Sequence, residues 1–141
     1  MRLRLAFALG LAAVVAGCSS NGPSPESVVR AWSHELNSGD NDAAARLFAP
    51  GAEVVQGGNA IHLDTHAEAV AWNAALPCSG RIVSIKTHGN VARATFLLGD
   101  RKMSKCDGPG QRATAIFRVK KGKIVLWHQT GGTPVPTGPP V

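Results

Sequence analysis

A run of four β-strands between residues 81 and 129 dominates the sequence. Its first hairpin joins residues 81–88 to 91–98 across Gly89-Asn90, a two-residue turn signal that hairpins prefer. Because side chains alternate between the two faces of a strand, a tight turn gives this hairpin one apolar face. That face is predicted to carry Val83, Ile85, Ala92, Ala94, Phe96 and Leu98.

The second hairpin joins residues 112–119 to 124–129 across Lys121-Gly122. A three-residue loop would turn Trp127 inward, since a slip of one residue inverts a strand. We favour a two-residue loop, which predicts that His128 points inward beside Ala115. The inward face would then carry Ala113, Ala115, Phe117, Val119, Ile124, Leu126 and His128.

Two cysteines lie next to these strands. Cys78 precedes the first strand and Cys106 precedes the third, so in a meander both belong to the same end of the sheet, opposite the two turns. A disulfide between them is geometrically reasonable. Closing its loop would stabilise the fold by about 3–4 kcal/mol in the loop-entropy model.

The N-terminus has the features of an export signal. Residues 1–17 contain two arginines near the start, then about a dozen apolar residues, then small residues. Such a run is too short to cross about 30 Å of hydrocarbon as a helix. Val15-Ala16-Gly17-Cys18 resembles the lipobox of bacterial lipoproteins, which implies cleavage before Cys18 and attachment of a lipid, such as palmitate, to that residue. An ordinary signal peptide with an incidental cysteine is the alternative.

Export would place the mature chain, held by the lipid on Cys18, at the cell membrane within the cell envelope. Removal of the two arginines of residues 1–17 lowers the formal charge from +6 to +4. Pairing of Cys78 with Cys106 is expected in such an oxidising compartment. Nucleic acid is a poor partner for an exported protein. The lysines and arginines at 101–105 and 120–123 are interpreted as solvated surface, with attraction to anionic lipid or wall polymer as the alternative.

Capping signals predict three helices before the first hairpin. Ser24-Pro25 begins the first helix, Asp40 caps the second, and Thr65 and Glu68 form a capping box for the third. Their ends are predicted at Asn37-Ser38-Gly39, at Pro50-Gly51 and at residue 75, with a short strand at Glu53–Gln56 that Gly57-Gly58 breaks. This order predicts an α+β fold with helices on one face of a sheet.

The domain boundaries follow from composition. Residues 1–17 are predicted to be the lipoprotein signal peptide, 18–24 a tether and 25–130 a single domain. Residues 131–141 are rich in glycine and proline and are predicted to be disordered.

Residues 28–50, 66–75 and 117–129 resemble the nuclear transport factor 2-like superfamily, which includes SnoaL-like polyketide cyclases and ketosteroid isomerases. The resemblance covers about residues 25–129. It implies a cone-shaped fold, in which three N-terminal helices pack on a curved antiparallel sheet around an internal pocket. Fold alone does not imply an activity. Dimerisation through the sheet is a further analogy.

Enzymes of this superfamily place a carboxylate or histidine base in the cone together with a tyrosine or a second acid. This chain has no tyrosine, and its nine acidic residues all lie outside the four predicted strands. His128 is the remaining candidate for a catalytic base. The alternative is a histidine that is half exposed at the sheet end.

The candidate ligand contacts are Arg81, Phe96, Phe117, Trp127 and His128. A solvated arginine and core aromatic residues are the alternative interpretations. No cofactor or metal is predicted, because the cap at Thr65 leaves His62 outside the helix that carries His66.

Three functions follow from this pattern. The favoured one is a non-enzymatic envelope module that holds a small apolar ligand or docks a partner protein. The alternatives are a small lyase or isomerase that uses His128, and a structural subunit whose cone is filled by its own side chains. An open apolar cavity at the cysteine end of the sheet would argue against the filled cone.

Overall fold

The computed structural model describes residues 22–131. The predicted signal peptide 1–17, Cys18, residues 19–21 of the tether and the tail from residue 132 lie outside the described residues. The elements are α1 (Pro25–Ser38), α2 (Asn41–Ala45), β1 (Phe48–Gln56), β2 (Asn59–Leu63), α3 (His66–Ala75), β3 (Ser79–His88), β4 (Val91–Gly99), β5 (Arg112–Lys120) and β6 (Lys123–Gly131). Within residues 22–131, no helix has the length and apolar character needed to cross a membrane.

The six strands form one curved, unclosed sheet in the order β2-β1-β6-β5-β4-β3. Neighbouring strands are antiparallel, except that β1 and β6 run parallel. Helix α1 packs on β3, β4 and β5, while α3 contacts α2 and β2. Helix α1 therefore covers the concave face, and α2 packs between α1 and α3. The predicted α+β cone is confirmed.

Helix α1 begins and ends as its sequence predicts. Ser24 Oγ accepts a hydrogen bond from the Ser27 N–H at 3.2 Å, and Gly39 ends the helix with a left-handed φ of 84°. Such a φ is easy for glycine, which lacks a Cβ. The buried residues follow helical spacing and form the stripe that faces the sheet: Val28, Val29, Trp32, Ser33 and Leu36.

The segment after α1 differs from the prediction. Helix α2 ends at Ala45, and the residues from Phe48 onward belong to β1 rather than to the helix. The Ile124 N–H donates to Leu47 O at 2.8 Å, and β1 then pairs with β6. This long-range pairing overrides the local helical pattern. Gly57-Gly58, predicted to break the strand, is a turn into β2, a strand that the sequence pattern did not predict.

The first predicted hairpin forms with one change of register. Ile85 pairs with Ala94 and Thr87 with Ala92, as expected. A bulge between Ile82 and Ser84 then places Ile82, rather than Val83, opposite Phe96. The extra residue moves Val83 off the apolar face that the simple alternation assigned to it.

The second hairpin has the predicted two-residue loop, yet His128 does not point inward. Lys121 (φ 51°) and Gly122 (φ 73°) form the loop, and Val119 pairs with Ile124. The register then shifts so that Phe117 lies opposite Trp127 and Ile116 opposite His128. This bulge inverts the end of β6. Trp127, 6% exposed, therefore belongs to the core and His128 to the convex face, which contradicts the prediction.

Aromatic rings and one buried amide join the helices to the sheet. The Trp32 ring lies 5.3 Å from Phe117 and 6.1 Å from Phe96, measured between centroids. Trp32 Nε1 donates to Asn73 Oδ1 at 2.8 Å, and Asn73 Nδ2 donates in turn to Ala69 O. The fully buried Asn73 thus has both ends of its amide paired, as burial requires.

Candidate ligand cavity

A cavity of about 370 Å³ opens inside the cone, at the end where β3 and β5 begin and β4 and β6 end. This volume lies in the range of roughly 300–1,000 Å³ that is usual for small-molecule sites. The apolar part of its wall comprises Trp32, Leu36, Leu76, Pro77, Phe96, Leu98, Ala113, Ala115 and Trp127. The polar part comprises Ser33, Gln56, Ser79, Asp107, Gln111, Thr114 and Gln129.

The cavity exists because β5 presents small side chains opposite α1. Ala113 and Ala115 lie on the concave face of β5, paired with Phe96 and Ala94 of β4. Larger residues at these positions would fill the space that separates the sheet from Trp32. The small side chain of Ala115 predicts this room, although the predicted occupant, His128, lies elsewhere.

Gly80 fixes the start of β3 against α1. Asn37 Nδ2 donates to Gly80 O and the Gly80 N–H donates to Asn37 Oδ1, both at 2.9 Å. Ser33 Oγ also donates to Gly80 O, at 3.0 Å. A Cβ at Gly80 would lie only 3.0 Å from Phe96 Cβ, so this close approach favours glycine. Because β3 is an edge strand, these side chains occupy backbone groups that would otherwise lack a sheet partner.

The mouth of the cavity is framed by the disulfide that the sequence predicts. Cys78 and Cys106 are bonded and connect the start of β3 to the long β4–β5 loop. Asp100 fixes the same loop, since its Oδ1 accepts the Cys106 N–H at 2.9 Å and its carbonyl accepts Ser79 Oγ–H at 2.8 Å. The Cys106 N–H hydrogen bond is the main cause that lowers the pKa of the Asp100 carboxyl. Desolvation opposes it, and the nearby Lys105 ammonium adds a further lowering.

Arg101 also helps to fix the residues around the mouth and does not belong to a solvated surface cluster. Its side chain is 8% exposed, and Nη1 donates to the carbonyls of Asn73 at 2.7 Å and Leu76 at 2.8 Å. Burial lowers the pKa of the guanidinium. Arginine remains charged at physiological pH all the same, and here it caps the C-terminal carbonyls of α3.

The electrostatic character of the wall is simple. Asp107 is the one formally charged side chain among the described residues that line the cavity, and it lies at the mouth. Its Oδ1 is 3.3 Å from Cys78 Sγ. Because a disulfide sulfur carries no hydrogen, this is a contact rather than a hydrogen bond. Nearby, Gln56 Nε2 donates to Gln129 Oε1 at 2.9 Å.

One buried donor in the wall lacks a partner. The Nε1 of Trp127 makes no hydrogen bond to any of the described residues. Leaving such a group unpaired costs about 1–3 kcal/mol. Native proteins tolerate few of these groups. This nitrogen is itself buried, so it lies behind the surface of the cavity rather than on it.

The structure separates the five predicted ligand contacts into three groups. Phe96 and Trp127 line the cavity. Phe117 is fully buried and packs behind the wall, against Trp32. Arg81 is exposed and pairs with Leu97 on the convex face, where His128 also lies. Neither Arg81 nor His128 contributes to the cavity wall, because the bulges in β3 and β6 reverse the alternation that placed them inward.

Metal binding gains no support from the described residues. The cluster of metal-type ligands in residues 22–131 consists of Cys78, Cys106 and Asp107, whose ligand atoms lie within 4.8 Å of one another. Both sulfurs are committed to the disulfide, so no thiolate is available as a ligand.

Sequence reasoning missed the polar residues that surround the mouth. Gln129 could have been found once Trp127 was placed inward, since residues two apart share a face. Gln56 required knowledge of the parallel pairing between β1 and β6, for which the sequence carries no local signal.

Solved structures share this fold at low sequence identity. An NTF2-like protein of unknown function from Cytophaga hutchinsonii aligns with a TM-score of 0.63 and 13% identity, over 76% of this chain and 88% of its own. A putative polyketide cyclase from Sinorhizobium meliloti aligns with a TM-score of 0.62 and 19% identity, over 74% and 94%.

A third structure contains a small organic molecule. It is a hypothetical protein of ketosteroid isomerase-like fold from Catenulispora acidiphila, in complex with trimethylamine, with a TM-score of 0.62 and 17% identity over 79% of this chain and 88% of its own. No protein-family model and no curated protein matches the sequence. The structural likeness shows that the chain has the nuclear transport factor 2-like fold.

Proposed function

We propose that this protein is an exported, lipid-anchored module of the cell envelope that binds a small, mostly apolar ligand in its cone. The observation that carries the ligand proposal is the mostly apolar cavity of about 370 Å³ inside the cone. The lipobox-like sequence ending at Cys18 supports the anchor, and the disulfide is consistent with an oxidising compartment.

Binding without catalysis fits the wall better than acid–base chemistry. General acid–base catalysis needs a titratable group within hydrogen-bond reach of the reacting atoms. His128, the predicted base, lies on the convex face, and among residues 22–131 Asp107, at the mouth, is the only carboxylate in the wall. A cone filled by its own side chains is also disfavoured, because such a cone would leave no cavity of this size.

Native mass spectrometry of the protein purified from its own membranes tests both parts of the proposal. The expected spectrum has a mature mass beginning at a lipidated Cys18, and a small-molecule adduct that is lost on denaturation. A mass without lipid would refute the anchor. The same spectrum, without any adduct, would count against a resident ligand.

A defined probe tests the cavity directly. We expect the neutral, apolar dye N-phenyl-1-naphthylamine to bind the wild-type protein. Ala115→Leu fills the cavity and should weaken binding about tenfold or more, as expected when a pocket is shortened by more than one methylene. His128→Ala is the matched control and should leave binding unchanged, since His128 lies outside the wall. Equal binding by Ala115→Leu and wild type would overturn the cavity as the site.

A further inference from the structure

Three lysines surround the β5–β6 turn. Lys120, Lys121 and Lys123 are all exposed, and none lies within ion-pair distance of a carboxylate in the described part of the chain. Lys123 Nζ donates to the Arg46 carbonyl, a contact that leaves its charge uncompensated. The turn therefore presents three positive charges at one tip of the sheet.

The N-terminal end of the described chain lies against this turn. A Cβ built at Gly22 would lie 3.4 Å from the Gly122 nitrogen, and one built at Gly122 would lie 2.9 Å from Pro23 Cδ. Cys18 precedes Gly22 by four residues. A chain of that length spans at most about 14 Å, so a lipid on Cys18 would emerge close to the three lysines.

The cavity mouth lies at the other end of the same strands. The loop Lys121-Gly122 joins β5 and β6 at one end, whereas Gln129 and the Cys78–Cys106 disulfide frame the mouth at the other. Strands β5 and β6 have nine residues each. A strand of that length extends about 30 Å.

We propose that the β5–β6 turn docks on anionic lipid headgroups beside the anchor and holds the cavity mouth away from the membrane. This inference rests on the proposed lipid attachment at Cys18 and specifies the orientation of the anchored protein. Charge complementarity favours a lipid surface that carries negative charge, and the short connection to Cys18 keeps the lysines at that surface. The ligand then reaches the cone from the aqueous side and not directly from the bilayer.

Lysine footprinting of the full mature lipoprotein tests the orientation. The protein is reconstituted in phosphatidylcholine vesicles with or without phosphatidylglycerol, and acetylated with the neutral reagent succinimidyl acetate. Lys120, Lys121 and Lys123 should react more slowly on the anionic vesicles, and high salt should remove this protection. Lys102 and Lys105, exposed in the loop at the mouth end, serve as internal controls and should react equally on both. Protection of these two instead, or equal reactivity of all five, would overturn the proposal.

Co-sedimentation separates docking from lipidation. The Cys18→Ser mature chain should partition into anionic vesicles, and Lys120→Gln, Lys121→Gln and Lys123→Gln together should reduce that partitioning roughly 100-fold. Lys102→Gln, Lys105→Gln and Arg112→Gln remove the same charge at the mouth end and should leave most of the binding intact.

An equal loss in both triple variants would mean that net charge, rather than the turn, determines binding, and would refute the docking surface. Binding to soluble polyphosphate, without binding to the vesicles, would identify a different anionic partner and would also refute it. A chain that fails to acquire lipid in its native host would refute the anchor, while the partitioning of the Cys18→Ser chain still reports on the turn.

Discussion

The two ends of the sheet differ in how the chain closes them. At the turn end, two-residue loops connect β3 to β4 and β5 to β6, and the adjoining residues Val119 and Ile124 are at most 4% exposed. At the mouth end, the chain uses the α3–β3 connection and the β4–β5 loop, and a cavity lies beneath them.

The difference shows how one sheet supports both a packed core and a binding site. Tight turns need few residues and leave the strands to pack against α1. The longer connections need additional fixation, which the disulfide, Arg101 and Asp100 supply through covalent and hydrogen bonds. The mouth end therefore depends on a few polar or covalent contacts, whereas the turn end depends on burial of apolar surface.

The largest expected effect comes from breaking the disulfide. Cys78→Ser with Cys106→Ser should lower the free energy of unfolding by about 3–4 kcal/mol. The reason is that the segment between the cysteines, which are 28 positions apart, regains conformational freedom in the unfolded chain. Denaturant unfolding of the oxidised wild type and the double variant measures the difference. A reductant should destabilise the wild type and not the variant. Equal stability of the two oxidised proteins would show that the disulfide does not hold the mouth.

A smaller loss of stability is expected when a single methyl group is added at the mouth. Gly80→Ala brings Cβ within 3.0–3.2 Å of three atoms of Phe96 and should cost about 1–3 kcal/mol through overpacking. Gly99→Ala is the matched control on the neighbouring strand, where the nearest atom is Ser79 Oγ at 3.5 Å. It should change stability by no more than about 0.5 kcal/mol. Thermal unfolding of both variants measures the contrast, and equal losses would contradict this account.

At the turn end, a substitution should instead raise the stability of the protein. Lys121 has a φ of 51°, a left-handed conformation that asparagine adopts more readily than lysine. Lys121→Asn should raise the free energy of unfolding by up to about 1 kcal/mol. Lys120→Asn, in the strand beside it, is the control and should give no gain. Denaturant unfolding measures both variants. A loss of stability in Lys121→Asn would mean that the left-handed conformation of residue 121 does not limit the stability of the turn.

The smallest expected effect is the dependence of stability on acidic pH through Asp100. The pKa of Asp100 is lowered in the folded protein, chiefly by the Cys106 N–H, so its contribution to stability is fully present above the ordinary carboxyl pKa of about 4. That contribution is lost as the pH falls through the lower, folded pKa. The stability difference between wild type and Asp100→Asn should therefore shrink below about pH 4. Denaturant midpoints across a pH series measure it, and a pH-independent difference would exclude this role of the carboxylate.

Much of the fold could be predicted from local signals. The cap at Ser24, the box formed by Thr65 and Glu68, and the loop at Lys121-Gly122 each depend on residues close in sequence, and the structure contains all three. The predicted positions of Cys78 and Cys106 at one end of the sheet likewise agree with the disulfide in the structure.

The site was predicted less well, for a physical reason. Whether a side chain points inward or outward depends on the register of every residue before it in the strand. One bulge near Val125 therefore turned Trp127 inward and His128 outward. A bulge is stabilised by packing across the whole sheet, which short patterns do not encode. The same applies to Arg101, whose burial depends on the carbonyl groups at the end of α3.

The amino-acid sequence by itself determined where the helices cap, where the hairpins turn, and that a lipobox-like segment precedes one α+β domain, because these features depend on neighbouring residues. Only the tertiary structure decided which side chains face the cavity, that β1 joins β6 in parallel, and that the N-terminal end of the described chain meets the lysine turn. These outcomes depend on contacts between distant segments, whose free energy is gained only when the whole sheet and its helices assemble.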